Sequence, residues 1–260
     1  AGPHDYYRTS ITLGQPTWRL DFNGTTDGGY KDASGFDQQK LSATALGQWL
    51  GFSATTGLSV TNLNQETSGF IQGPQAYKDK SLVKQNPNPE AFRDSRSARI
   101  YSRLERPLNA GKLVLTPYAR DTKMTFIQHY LPGQALEENA HTSIGIQSAW
   151  YKDRWTVGAD FEVTEGDLRE YQPDPTAGSD FLVATIPAGE HYNYQVDANT
   201  QALFARYQWP LTDATKLTAG ARWERVQYDY DNLMLTGRTR DDGTKCARGG
   251  CRFSRPADRQ

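Results

Sequence analysis

The chain has 260 residues, with 29 Lys and Arg against 30 Asp and Glu and a net charge of −1, so bulk electrostatics point to neither nucleic acid nor an anionic surface. Mean hydropathy is −0.74, and no apolar run approaches the ~18 residues of a spanning helix. That excludes a helical membrane protein but not a β-barrel, whose strands show lipid only at every second residue.

The apolar pattern predicts about ten strands, each with a period of two. The first covers residues 6–13 and turns through Gly14-Gln15-Pro16-Thr17. The second, 18–25, sets Trp18, Leu20 and Phe22 against Arg19, Asp21 and Asn23. A polar loop at 26–37 leads to strands at 38–49 and 55–66. The link 67–94 is very long and carries the turn signals Gly73-Pro74 and Asn86-Pro87-Asn88-Pro89. The fifth strand, 95–105, opposes Ala98, Ile100 and Leu104 to Arg99, Arg103 and Glu105. A short link, 106–111, precedes a long sixth strand at 112–130, a loop at 131–138 and a seventh strand at 140–150. Tyr151-Lys152-Asp153-Arg154 is the shortest link. The eighth strand, 155–167, alternates most plainly: Trp155, Val157, Ala159, Phe161 and Val163 share one face, with Asp160 and Glu162 on the other. A long loop reaches residue 190, the ninth strand covers 192–208, and link 209–215 leads to the tenth at 216–230. From Asp231 the chain reads as loop.

Short and long links therefore alternate, as periplasmic turns and extracellular loops do in outer-membrane barrels. Trp18, Trp49, Phe52, Tyr151, Trp155, Tyr207 and Trp209 gather beside the short links, where an interfacial girdle would lie. Fully charged residues on the polar faces suit a wet lumen better than a sandwich surface. Their roles stay open between contact with a ligand and simple hydrated pairing along the wall. Both ends read as loop and no signal peptide opens the chain, so an internal piece of a longer protein is expected.

Three stretches carry a family resemblance. They are Asp21-Phe22-Asn23-Gly24-Thr25-Thr26-Asp27-Gly28-Gly29-Tyr30-Lys31-Asp32; Phe126-Ile127-Gln128-His129-Tyr130-Leu131-Pro132-Gly133-Gln134 with Glu137-Glu138-Asn139; and Leu217-Thr218-Ala219-Gly220-Ala221-Arg222-Trp223-Glu224 running into Tyr228-Asp229-Tyr230-Asp231-Asn232. In order and spacing they resemble the barrel of a TonB-dependent outer-membrane receptor of the iron-complex type. The resemblance implies an all-β, antiparallel, up-and-down transmembrane barrel segment, about ten strands of a barrel of about 22. Residues 1–260 would be a partial barrel domain, with the plug domain, the first strand and the C-terminal strands absent. It implies a Gram-negative outer membrane, active uptake of a ferric siderophore or another metal chelate, contact with outer-membrane lipid, and TonB acting through the absent plug region.

On that reading Phe126, Gln128, His129 and Tyr130, near the outer end of the sixth strand, are candidates to touch substrate, as are the loop aromatics Phe70 and Tyr77. The alternative for the loop aromatics is packing of the loops onto one another. Cys246 and Cys251, separated by a segment containing Gly249-Gly250, are expected to form a disulfide at an oxidising surface. The four His show no metal-ligand spacing, and no nucleophile elbow, Walker loop or dinucleotide fingerprint occurs, so neither an enzyme nor a cofactor is expected. A passive porin shares the strand rhythm but not the resemblance. A soluble all-β binding or adhesive domain would bury the Trp155/Val157/Phe161 face between sheets.

Overall fold

A computed structural model describes residues 2–259. Ten strands follow one another: β1 (Tyr7–Gln15), β2 (Trp18–Asp27), β3 (Phe36–Trp49), β4 (Phe52–Glu66), β5 (Phe92–Leu108), β6 (Gly111–Ile127), β7 (Leu136–Lys152), β8 (Trp155–Gln172), β9 (Gly189–Pro210) and β10 (Lys216–Asn232). They form one antiparallel sheet in sequence order, with β1 and β10 at its edges. The helical exceptions are α1 (Asp180–Thr185) and a single 3-10 turn at Ala76–Lys78. The expected all-β, up-and-down architecture is therefore present.

Residues 16–17, 50–51, 109–110, 153–154 and 211–215 make the short links. In the second of these, Leu50 and Gly51 both have positive φ, 50° and 78°, the backbone that tight hairpins demand for their twist. The sixth strand ends earlier than its sequence pattern suggests: Ile127 is its last residue, and His129 and Tyr130 lie in the following turn. In the sequence the alternation runs on because Phe126, Gln128 and Tyr130 share parity, but Gln128 N–H already pairs with Ala135 C=O at 2.8 Å and closes the loop.

The hairpin turns give the strand tilt. Trp18 at the first short turn faces Ala45, four residues short of Trp49 at the second. Phe52, at that second turn, aligns two residues short of Leu108 at the third. The third and fourth turns align, and the fifth lies three residues beyond the fourth. That is a drift of nine residues over eight strand steps. With about 3.4 Å per residue and 4.8 Å between strands, turns kept at one level require a tilt of roughly 38°. Transmembrane barrels tilt their strands by about 35–45°.

Cross-strand partners share a face, so the register propagates two faces across the sheet. On one lie Ile11 and Leu13, Leu20 and Phe22, Leu58 and Val60, Ile100 and Leu104, Leu113 and Leu115, Ile144 and Ile146, Val157 and Phe161, Leu203, Leu217 and Trp223. Many of these are well exposed, Ile144 at 61% and Leu203 at 58%. On β8 the apolar stripe runs from Trp155 to Val163 and then gives way to Glu165, which stands in one row with Asp197 and Asp229. Eight residue steps make about 27 Å along the strand, roughly 21 Å after the tilt, near the ~25 Å band of an outer-membrane barrel.

Trp155 and Tyr207 rings lie 4.6 Å apart, and Tyr207 and Trp209 rings 4.5 Å apart, along the lower rim of this face. Tyr151 departs from the girdle expected of it. It pairs with Lys112 and Thr156 on the polar face, and Trp150 takes the outward place beside it.

The polar face uses glycine to seat aromatic rings. Gly57 faces Tyr101, Gly145 faces Tyr118 and Gly158 faces Phe204. A Cβ added at any of the three would fall within 2.5 Å of the ring opposite, so each ring covers a backbone that bears no side chain. Pro117 sits inside β6 rather than at an edge. The β5–β6 ladder skips the step between Tyr101↔Tyr118 and Leu104↔Leu115, then resumes unshifted, because proline has no N–H to donate.

Candidate ligand-binding mouth

The period of two places residues i and i+2 on one face about 7 Å apart, and the polar wall uses this repeatedly. Arg19–Asp21 and Arg103–Glu105 pair at 2.7 Å, and Arg222–Glu224 at 2.8 Å. Across strands, Arg120 reaches Glu162 at 2.8 Å, Arg222 reaches Asp160 at 2.6 Å and Lys112 reaches Glu105 at 3.0 Å. Glu162 also accepts from the Tyr118 hydroxyl. Arg99 instead lies 5.3 and 5.9 Å from the Tyr101 and Tyr118 rings. Of the two readings of these charges, pairing along the wall matches the geometry. A hollow of about 610 Å³ lies on this face, lined by Arg103, Thr116, Gln147, Asp160, Arg206 and Arg222.

At the long-loop end one row of the same face crosses seven strands: Phe36, Gln65, Arg93, Phe126, Glu137, Glu170, Tyr192. Gln128 closes over it, its Nε2 donating to Glu137 at 2.5 Å and to Glu170 at 3.3 Å. Asn139 donates to Glu137 at 2.7 Å, and the Arg93 guanidinium lies 5.5 Å from the Phe126 ring. Beside Tyr192, the buried His191 ring touches Glu170 at 3.0 Å and Pro187 C=O at 2.7 Å. It stacks on Phe253 at 4.2 Å.

Phe253 belongs to the segment after β10, which is ordered rather than an open loop. Cys246 and Cys251 form the expected disulfide, with Cα atoms 4.9 Å apart. With Phe253 they make a small core against Tyr192. Arg255, 1% exposed, holds the segment together. Its guanidinium donates to Leu235 C=O (2.6 Å), His191 C=O (3.1 Å), Thr239 C=O (2.7 Å), Thr239 Oγ1 (3.0 Å) and Arg240 C=O (3.1 Å). Burial pushes this guanidinium below its ordinary value, because a charge loses hydration there. At the loop tip, the Thr244 amide and hydroxyl, at 2.8 and 2.7 Å, hold the Asp242 carboxyl below the usual range. The segment also grips the β8–β9 loop: Arg252 N–H donates to Thr185 C=O at 2.9 Å, and Arg248 and Arg252 guanidiniums lie 5.9 and 5.8 Å from the Phe181 ring of α1.

The candidates named from sequence divide. Phe126 is buried in the rim row and Gln128 is buried where it closes over that row. His129 is half-buried, its ring 5.7 Å from the exposed Tyr130. Phe70 and Tyr77 stand free at 72% and 69% exposure. The loop that bears them is tied to its neighbour by other groups: Lys31 Nζ donates to Gly69 C=O at 2.8 Å, and Asn86 to Ala33 C=O at 2.8 Å. Glu170, Tyr192 and Arg255 are not marked by the sequence; Glu137 stands there only within a family-like stretch, and His191 only among the four His without metal-ligand spacing. Parity counted outward along β8 and β9 points to Glu170 and Tyr192; nothing local points to Arg255. Among the described residues no group of three or more His, Cys, Asp or Glu is arranged to hold a metal ion.

No family model matches the chain, and no curated protein matches it. Solved structures do. The ferric citrate transporter FecA in its unliganded form superposes with a TM-score of 0.65 at 12% identity, over 88% of this chain and 35% of that one. The ferric-catecholate import receptor Fiu of E. coli K12, in its open form, gives 0.61 at 14% identity over 99% and 48%. The copper transporter OprC gives 0.61 at 10% identity over 100% and 39%. At such identities the likeness is one of fold, and the fold is that of TonB-dependent receptor barrels, as the sequence resemblance implied. The chain spans between about a third and a half of the length of these three proteins.

Proposed function

We propose that this chain forms wall and mouth of an outer-membrane transporter of a Gram-negative bacterium, which takes up a large scarce nutrient, first of all a ferric siderophore or similar metal chelate. The observation that carries the reading is a sheet with one lipid-length apolar face and one ion-paired wet face, superposing over most of its length on barrels that move ferric citrate, ferric catecholates and copper. Lipid would lie against the Val157/Phe161/Leu203 face. The opposite face is the lumen, and an energising TonB partner would act through a plug outside residues 1–260. The rim row and the loops above it would receive the cargo, with Phe70, Tyr77 and Tyr130 free to stack on it, His129 at their side, and Phe126 and Gln128 shaping the wall below. Its role is transport rather than catalysis.

Iron-starved cells carrying the protein should accumulate radiolabelled ferric chelate only when TonB is present, and vesicles containing it should stay tight to small sugars. Sugar leakage assigns a passive porin instead. Failure to take up ferric citrate, ferric catecholates and copper alike removes the reading.

A further inference from the structure

The apolar face is not evenly filled near its lower rim. Ser148 of β7 and Ala159 of β8 stand opposite each other, and both are small. Leu203 follows Ala159 in the same row, and Trp150 and Val157 occupy the row below. The larger side chains leave a groove of about 430 Å³ over the small pair, walled by Leu113, Trp150, Val157 and Leu203. The Ser148 hydroxyl donates to Ala159 C=O at 2.8 Å, so the backbone satisfies it and the groove asks for an apolar occupant.

Directly beneath the groove the chain is cationic and aromatic. Lys152 stands opposite Trp155, two residues below Trp150 and so about 7 Å further down the same face. Its Nζ lies 5.8 Å from the Trp150 ring. Arg154 follows in the turn, and its C=O accepts from Gln208 N–H at 3.0 Å, which fastens the turn to β9. Two strands away on the same rim, the Arg106 guanidinium lies 5.6 Å from the Phe52 ring. Lys152, Arg154 and Arg106 are exposed, and among the described residues none of the three has a carboxylate within 4 Å, Asp153 included. On the polar face at the same height, Arg103 and Lys112 instead share Glu105. Unpaired cations beside tryptophan, at the edge of an apolar band, lie where lipid phosphates lie. An ethanolamine head would bring its own ammonium among them, whereas an anionic head brings phosphate without a competing cation.

We propose that the groove and the cations beneath it form a site for an anionic phospholipid of the periplasmic leaflet, with one acyl chain in the groove between Trp150 and Leu203 and the phosphate held by Lys152 and Arg154. The site rests on the outer-membrane reading of the apolar face and is independent of the cargo. Native mass spectrometry of the detergent-purified protein, titrated with phosphatidylglycerol or with phosphatidylethanolamine of the same chains, reads the affinity for each. The wild type should favour phosphatidylglycerol by about tenfold. K152E/R154E should abolish the preference, and K152R/R154K, which keeps the charge, should retain it. A159F, which fills the groove, should weaken both lipids by about tenfold. K123E removes a cation of the same face near the long loops and should leave the preference unchanged. Circular dichroism verifies the sheet in each variant. Equal affinity of the wild type for the two lipids, a preference that survives K152E/R154E, or unchanged binding in A159F overturns the site and leaves the lipid-facing wall standing. A wild type that stays soluble without detergent and retains neither lipid overturns the outer-membrane reading together with the site.

Discussion

The arginines of the wall and those of the segment after β10 live by different rules. Of the wall arginines, Arg19, Arg103, Arg120 and Arg222 each lie within 2.8 Å of a carboxylate, and Arg99 stands apart beside the Tyr101 and Tyr118 rings. After β10, Arg238 and Arg255 are satisfied by backbone carbonyls, and Arg248 and Arg252 lie beside an aromatic ring. The difference follows from geometry. A strand delivers residues i and i+2 to one face automatically, so alternating charges along it neutralise one another at exposed, water-screened sites. A loop has no such period, and its charges find partners only through the tertiary path of the chain. The wall is therefore locally neutral and redundant, whereas the loop is locally cationic and depends on single residues.

The largest effect should come from Arg255. Replacing it with Ala strands several buried carbonyls at once, at roughly 1–3 kcal/mol each, more than a surface segment of this size can withstand. Hydrogen exchange should show residues 233–259 open in Arg255→Ala while β1–β8 keep their protection. Lys should not rescue it, since one ammonium cannot span partners spread over Leu235, His191 and Thr239. A variant whose loop stays protected would mean that the disulfide core alone holds the segment.

Next in size is a charge on the apolar face. Leu203→Arg at mid-band should cost roughly 2–4 kcal/mol in lipid. Thr200→Arg, which enters the wet face opposite Glu162, should be tolerated. Equal costs, measured by refolding into bilayers, would erase the distinction between the two faces on which the wall's neutrality rests.

How much of this was legible beforehand depends on height along the strands. The starts of β2, β8 and β10 at Trp18, Trp155 and Lys216 fall where the sequence puts them, because tight turns and apolar alternation coincide there. At the long-loop ends the sequence stops short: β8 reads to residue 167 but continues to Gln172, and β7 begins at Leu136 rather than at 140. Above the apolar band both faces are wet. Asp167 and Arg169 occupy positions that carry Val and Phe lower down, so the alternation disappears although the ladder continues. The outer part of the rim row lies in that silent zone, so no pattern marks Glu170 and Tyr192, whereas Phe126 and Gln128 fall at the outer end of the long sixth strand that the sequence does show. The disulfide needed only two cysteines and a compartment. The carbonyl cage of Arg255 needed the fold.

The disulfide gives the third test. Its ring is short, so the gain in chain entropy is on the order of 2–3 kcal/mol at most. Reduction should therefore loosen the segment around Phe253 less than loss of Arg255 does, and leave the sheet intact. Limited proteolysis with and without reductant reads the difference. Unchanged cleavage between residues 238 and 252 on reduction would show that the carbonyl cage suffices alone. Ready thiol labelling of Cys246 and Cys251 without reductant would mean that the bridge does not form on the protein at all.

The smallest effect, and the sharpest contrast with Arg255, is expected in the wall. Arg120 and Glu162 meet at 2.8 Å, with the arginine side chain 42% exposed and the glutamate 21%. Water screens such a pair, and holding two long side chains in one geometry costs rotamer entropy, so exposed pairs contribute about 0.2–1 kcal/mol. Glu162 also has a second donor in Tyr118 and a third in Thr164 at 3.2 Å, so losing Arg120 leaves the carboxylate solvated and still hydrogen-bonded. A double-mutant cycle of Arg120→Met and Glu162→Gln should return a coupling in that small range, shrinking further as salt rises. A coupling of several kcal/mol, insensitive to salt, would place this pair in a dry environment. The wall would then resemble the Arg255 cage rather than oppose it, and the wet-lumen assignment of that face would fall with it.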